Sequence, residues 1–375
     1  MYDFMKIKIS NLGMIKNAEI ELKPLTIFMG DNGTGKTWVA YTIAALFGGY
    51  GYEKYLEAYL EGKTGFKFEV LEEKIQTLLE EGSVTIDFEK FLIDHAEKLI
   101  NEVATFLPQC LDTFMATKRV SFENTSISVE FGADSISTLV ETSKRIKITA
   151  GFSIGKEGTS SSLSVNALKK KDSEELYFYT TSESKDSSIP SEVKNIEIKK
   201  FVTSVLFRTI HRSIFTNTPI FPTERTTFIT LPLPARREPT KSSSKRSFSD
   251  RQENNNDSEM FLSVPVRHFL AMVKSSMGRF FDRKKERQDE SKINNFIKLS
   301  DFLQNEILLG NIDFEEHHGS LEILYSPEKN TNLELNISSS MVKELASLSL
   351  YLKYVANPND LVVIDEPEMN LHPAA

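Results

Sequence analysis

The sequence predicts an α/β fold organised around a phosphate-binding loop, and three observations carry that expectation. A glycine-rich string, Gly30 to Thr37, stands between an apolar run and a stretch of helical spacing. Far downstream the aliphatic residues Leu361 to Ile364 end abruptly in Asp365-Glu366. Around both, segments of period two alternate with segments of period near 3.6.

Taken in order, KIKIS and AEIEL alternate apolar and polar residues about a turn at Asn11-Leu12-Gly13, which predicts a half-exposed hairpin. The apolar run Leu25 to Met29 predicts a buried strand leading into the glycine loop. TWVAYTIAALF then has helical spacing and stops at Gly48-Gly49. From Tyr52 to Met115 the pattern is helical, as in LEEKIQTLLEEG and FEKFLIDHAEKLINEVATFL. Residues 119–182 read as short strands separated by Ser, Gly and Lys. A helix is predicted over SEVKNIEIKKFVTSVLFRTIHRSIF, followed by a short strand TPIFP closed by Pro222.

Residues 235–257 are polar, rich in Ser and Asn, and without apolar period, so they predict a segment of low order. Within it Arg236, Arg237, Lys241, Lys245, Arg246 and Arg251 face only Glu238 and Asp250. That excess suits either a solvated loop or contact with a phosphate backbone. Helices are predicted over 259–278 and 291–309, then a hairpin of SLEILY and LELNI about Pro327 to Asn330. A helix over 341–356 leads into the final apolar strand.

The bulk properties narrow the class. The chain has 375 residues, 40% hydrophobic and 26% charged, which is enough for a large core in one or two domains. A formal net charge of −8 argues against an overall nucleic-acid coat. The single cysteine, Cys110, forbids an internal disulfide, fits a reducing compartment and reads as a small core residue. No run approaches the ~18 apolar residues of a membrane span. A cytoplasmic location is therefore expected.

Gly30-Asp31-Asn32-Gly33-Thr34-Gly35-Lys36-Thr37 fits G-x-x-x-x-G-K-[ST] in full, the Walker A pattern. Its glycines permit backbone conformations that turn successive N–H groups toward phosphate oxygens. A helix starting at Lys36 adds the positive end of its dipole. Lys36 is expected to reach the β- and γ-phosphates of ATP, Thr37 to ligate Mg2+, and Trp38 to border the nucleotide. Downstream, a buried strand ending in a carboxylate needs a compensating partner. Magnesium held through water by Asp365, opposite Thr37, supplies one, and Glu366 can polarise the attacking water. This is the Walker B pattern.

More than ~320 residues separate Lys36 from Asp365 in sequence, which predicts a large helical and β insertion dividing a P-loop NTPase fold. The expected divisions are 1–50 with Walker A, 51–218 as insertion, and 219–375 with Walker B. GDNGTGKT after a two-strand opening, together with IDEPEMNLHP, resembles the ABC-type ATPase heads of the SMC, RecF and overcoming-lysogenisation-defect group. The resemblance covers about residues 5–47, 219–230 and 311–373. It implies ATP sandwiched between two subunits, with a signature segment from the partner at the start of the helix before Walker B.

Here that segment reads Ser338-Ser339-Ser340-Met341-Val342-Lys343-Glu344, with Met341 where the family places glycine. Ser339 and Ser340 are thus candidates either for a phosphate contact across an interface or for ordinary helix capping. Asn370 and His372 fall where the family's D-loop crosses that interface. Pro222-Thr223-Glu224-Arg225 is similar to a Pro-Ala-Glu-Arg string of the defence-associated branch. For Glu224 and Arg225 a role beside the nucleotide and a structural salt bridge are both open. The resemblance also puts a further helix, strand and switch histidine beyond Ala375, so a piece of a longer head is expected.

Three functions follow from these expectations. One is the ATPase subunit of a prokaryotic antiviral defence system, a homodimer or higher homo-oligomer governing a separate nuclease or toxin. Another is a RecF-like repair head that binds duplex DNA. A third is a slow, ATP-gated scaffold. The long insertion and the Asn-Leu-His-Pro string do not suit a transporter.

Overall fold

The computed structural model describes residues 5–155, 162–182, 191–230, 262–285, 293–317, 320–328 and 331–371. The segment 235–257 with its basic run, His372, and Lys329-Asn330 at the tip of the expected hairpin lie outside the described residues. The chain divides into two compact units, Met1–Asp112 with Lys118–Thr218 and Thr113–Thr117 with Pro219–Ala375.

In the first unit, β1 (Met5–Leu12) and β2 (Ile15–Leu22) form the expected hairpin, paired from Met5↔Leu22 to Leu12↔Ile15. The alternation in β1 buries Met5, Ile7 and Ile9 on one face. The turn needs positive φ at Asn11 and Gly13, values that Asn and Gly tolerate. The strand expected at 25–29 does not form. Leu25, Ile27 and Met29 are 76%, 67% and 87% exposed, and the sheet order β2-β1-β4 does not take the segment up. Apolar residues mark a strand only where a ladder partner exists, and the sequence pattern cannot supply the partner.

Helix α1 (Lys36–Phe47) buries Val39 and the run Thr42 to Phe47, and α2 (Gly49–Leu60) follows directly. Next come α3 (Glu69–Glu81), β3 (Ser83–Asp87) and α4 (Phe88–Phe106). Residues 83–87 interrupt what the sequence pattern reads as continuous helix. Gly82, in left-handed conformation, ends α3, and the Asp87 side chain accepts a bond from the Lys90 N–H to start α4. β4 (Ser126–Glu130) completes the first sheet against β1, and α5 (Ala133–Arg145) follows it. β5 (Ile148–Gly155), β6 (Ser162–Lys169) and β7 (Glu175–Ser182) join β3 in an antiparallel sheet of order β3-β7-β6-β5.

Helix α6 (Ser191–Ile214) threads this unit through an aromatic cluster. Phe207 packs its ring against Tyr59 and Phe68 at centroid distances of 5.0 and 5.2 Å, and against Tyr55 at 6.3 Å. One turn on, His211 stacks on Tyr52 at 4.9 Å. Burial pushes the His211 imidazole down to about 4, against the opposing pull of the Phe47 and Gly48 backbone at the end of α1.

A pH dependence follows. In the folded state His211 gains a proton only near pH 4, whereas the unfolded chain gains it near the ordinary value of 6.5. The unfolded state therefore binds more protons below 6.5. Stability is complete above that pH and falls as pH drops toward 4, by on the order of 3 kcal/mol for this one ring. His268 in the second unit, also pushed by burial to about 4, acts in the same direction. Urea unfolding from pH 7.5 to 4.5 should show this decline, and His211→Phe should flatten part of it.

The second unit begins with β8 (Ile220–Phe221), whose neighbour Pro222 ends the strand by removing a donor. After the helical turn Arg225–Phe228 come α7 (Val264–Lys285) and α8 (Ile293–Phe302), the latter continued by a π-turn over Leu303–Leu308. β9 (Asn311–His317), β10 (Ser320–Glu328) and β11 (Thr331–Glu334) form a three-stranded antiparallel meander, where the sequence pattern predicts a two-stranded hairpin.

Helix α9 (Ser340–Tyr354) agrees with the expected element, and β12 (Val363–Ile364) pairs parallel with β8, Val363 opposite Ile220. The core gathers Phe221, Phe269, Phe280, Phe314, Tyr351 and Tyr354 with the apolar face of α9. Within it, the Ser300 hydroxyl, the Gln304 amide and the Ile312 N–H satisfy one another, so this polar group carries little desolvation cost.

Candidate functional site

In the first unit the candidate residues form the loop that enters α1. Gly30, Gly33 and Gly35 have φ of 152°, 77° and 91°, a region closed to most other residues. Gly35 is the N-cap of α1, and a Cβ there would stand 2.8 Å from Ile15 Cδ1, so both conformation and space require glycine. Around Gly33 there is open space, and Asp31 to Thr34 are exposed.

Lys36 Nζ donates to the carbonyls of Gly30 and Asp31, each at 2.8 Å, and Thr34 Oγ1 donates to Asp31 O at 2.8 Å. The lysine thus spans the loop and fixes its curvature. The α1 ladder opens with Val39 N–H to Gly35 O at 3.1 Å, so the first-turn N–H groups of the helix point out of its end toward the loop. A curved backbone, an ammonium group and a helix N-terminus together suit a phosphate chain. Thr37 stands at the second helical position with its hydroxyl type suited to magnesium. Trp38 has another setting. Its ring meets Phe122 edge-on at 5.8 Å and lies over Gly13, where any Cβ would collide with it. It braces the β1–β2 turn against α1.

The Asp365-Glu366 turn lies in the second unit. Asp365 follows β12 directly, donates its N–H to Phe221 O at 2.9 Å and is 8% exposed. Glu366 has φ of 47°, unusual for this residue type, and its side chain is exposed. The abrupt turn is fastened by Met369 N–H to Glu366 O at 3.1 Å and by the guanidinium of Arg225. Arg225 Nη1 donates to Asp365 O at 2.7 Å and to Pro222 O at 2.8 Å, and Nη2 donates to Glu366 O at 2.9 Å. The same Nη2 is paired with the Glu344 carboxylate on α9. For the Pro222–Arg225 string the geometry thus favours a buried ion pair at Arg225, while Glu224 is exposed and accepts from the Thr223 hydroxyl at 3.2 Å.

At the start of α9, Ser339 is the N-cap, its hydroxyl accepting the Val342 N–H at 3.3 Å. The capping alternative describes this serine. Ser340 is exposed and lines a polar hollow of about 400 Å³ together with Thr226, Thr230, Asn336, Lys343 and Asn370. The hollow therefore unites Ser340 and Asn370, two residues that the sequence marks separately. Lys343, Thr226 and Thr230 escape sequence reasoning, because one lysine and two threonines carry no spacing signal. Glu344 does leave a signal: it is a lone carboxylate on the buried face that also carries Ser347 and Tyr351.

A family model described as AAA ATPase domain matches residues 5–375. No curated protein and no solved structure matches the chain. Among the described residues no helix is long and apolar enough to cross a membrane. The family match spans the glycine loop, the carboxylate turn and nearly everything between and around them, so the chain belongs to the AAA ATPase domain family and is an ATP-hydrolysing enzyme.

Proposed function

We propose that the loop from Gly30 through Thr37 holds the phosphates of ATP with Mg2+, and that Asp365 and Glu366 act on the same nucleotide. The observation that carries this reading is the glycine geometry of the loop, closed over by Lys36 through two carbonyl bonds of 2.8 Å. Magnesium neutralises phosphate charge and polarises the transferring group when bound. Thr37 and Asp365 are the residues that would hold it, and Gly30, Asp31, Asn32, Gly33, Thr34, Gly35 and Lys36 would surround the phosphates. Glu366 orients a water and takes its proton as the terminal phosphate bond breaks. Asp365, buried at the end of β12, is the natural residue for the metal shell, and the exposed Glu366 is the natural one for the water.

The reading extends to assembly. Ser340 and Lys343 at the head of α9 offer a hydroxyl and a positive charge to the terminal phosphate bound by a second copy, with Asn370 beside them. The function supported best is the ATPase and sensor subunit of a prokaryotic defence system, whose nucleotide-driven assembly holds or releases a nuclease or toxin. Support for the defence role comes from the Pro222–Arg225 string, which resembles a Pro-Ala-Glu-Arg string of that branch. Sedimentation velocity of Glu366→Gln with Mg-ATP should show a species of at least twice the monomer mass that ADP does not induce. A monomer under both nucleotides would remove the sandwich from the account. The repair-head reading rests on the basic run Arg236 to Arg251 and predicts duplex binding that weakens steeply with salt.

A further inference from the structure

We infer that the buried pair Arg225–Glu344 is a positioning device that couples the head of α9 to the Asp365-Glu366 turn, so that contact at Ser340 and Lys343 sets the rate of hydrolysis. This inference rests on the reading of Asp365 and Glu366 given above. Both partners are 2% exposed, so neither charge is relieved by water. A buried ion pair contributes little net stability compared with an apolar pair of equal volume, whereas removal of one partner strands a charge. Geometry is what this pair supplies.

The guanidinium is a rigid planar fork. It grips the carbonyls of Asp365 and Glu366, which belong to the two peptide planes on either side of the Glu366 Cα, and the carbonyl of Pro222 at the end of β8. Those two carbonyls define the left-handed turn at Glu366 and hence the direction in which its carboxylate leaves the chain. The Nη2 that holds the Glu366 carbonyl also meets Glu344.

Glu344 lies four residues after Ser340, one turn into a helix whose first turn is locked by the Ser339 cap. Ser340 and Lys343 on that turn line the polar hollow, and Glu344 faces inward. A helix turn moves as one body. A shift of its outer face toward an anion therefore shifts Glu344, the guanidinium and the Glu366 peptide together. The relay ends on the direction of the Glu366 carboxylate, so the expected signature is a change in kcat with little change in KM.

The test uses the full chain with Arg225→Met, Arg225→Lys and Glu344→Gln. Phosphate release against Mg-ATP gives kcat and KM, and backbone hydrogen exchange follows the amides of Met369 and Leu371, which close the turn. Expected for Arg225→Met and Arg225→Lys is a fall in kcat of about tenfold or more with KM within about twofold, because a lysine point charge cannot replace the fork. Glu344→Gln keeps the shape of the side chain and leaves the guanidinium its three carbonyl partners, so it carries the test should Arg225→Met not fold. In this variant kcat should fall several-fold, and exchange at Met369 should quicken about tenfold although residue 344 does not contact that amide. Parental kcat together with parental exchange in Glu344→Gln would overturn the coupling, as would full activity of Arg225→Lys. A parent chain that releases no phosphate would count against the ATPase reading alone, since the exchange measurement still decides the relay.

Discussion

Lys36→Ala is expected to abolish ATP binding and turnover together. The ammonium group is the positive charge that the loop itself brings to the phosphates, and in the structure it already holds the loop's curve through Gly30 O and Asp31 O. Each charge-assisted hydrogen bond to a phosphate oxygen contributes about 1.5–3 kcal/mol, and loss of two corresponds to a factor of roughly 100 or more in affinity. Curvature of the loop is lost as well, so the glycines no longer present their N–H groups in register. Titration calorimetry with ATP and with a non-hydrolysable analogue should show the loss for both ligands. Lys36 is partly exposed at a helix start, so thermal unfolding should remain within a few degrees of the parent. Binding that survives the substitution would move the nucleotide away from this loop.

Glu366→Gln should separate binding from chemistry. The amide keeps the size of the side chain and its exposed position after the turn, but it cannot take a proton from water. General-base catalysis contributes about 10²–10⁴ in rate, so kcat should fall by that order while ATP affinity stays near the parental value. The contrast with Lys36→Ala is diagnostic, because one variant loses the ligand and the other retains it intact. Unchanged turnover in Glu366→Gln would remove this carboxylate from the mechanism.

Much of the local structure is legible in the sequence, and the reasons are local. The glycines at 30, 33 and 35 announce positive φ because few other residues adopt it, and the start of α1 at Lys36 follows from them. The β1–β2 hairpin and α9 follow from periods of two and 3.6. The failures are tertiary. Leu25 to Met29 has the composition of a buried strand, yet a strand is defined by its neighbour, and none pairs with it among the described residues. Ser83 to Asp87 hides between two helices because five residues are too few to break a helical period by eye.

Arg225 shows the same limit at the site. The string Pro222 to Arg225 marks the place without assigning a role, because burial, three carbonyl partners and a carboxylate 119 positions away in sequence appear only on folding. Ser339 and Ser340 separate for a related reason. Helix geometry gives the first to the cap and leaves the second on the surface.

The most direct test of the central claim follows the bound nucleotide itself. Parent, Lys36→Ala and Glu366→Gln proteins are incubated with Mg2+ and labelled ATP, freed of unbound nucleotide, and the retained label is resolved into ATP and ADP. The account predicts ADP on the parent, intact ATP on Glu366→Gln, and no label on Lys36→Ala. Equal conversion to ADP on parent and Glu366→Gln, or label retained by Lys36→Ala at the parental level, would contradict it.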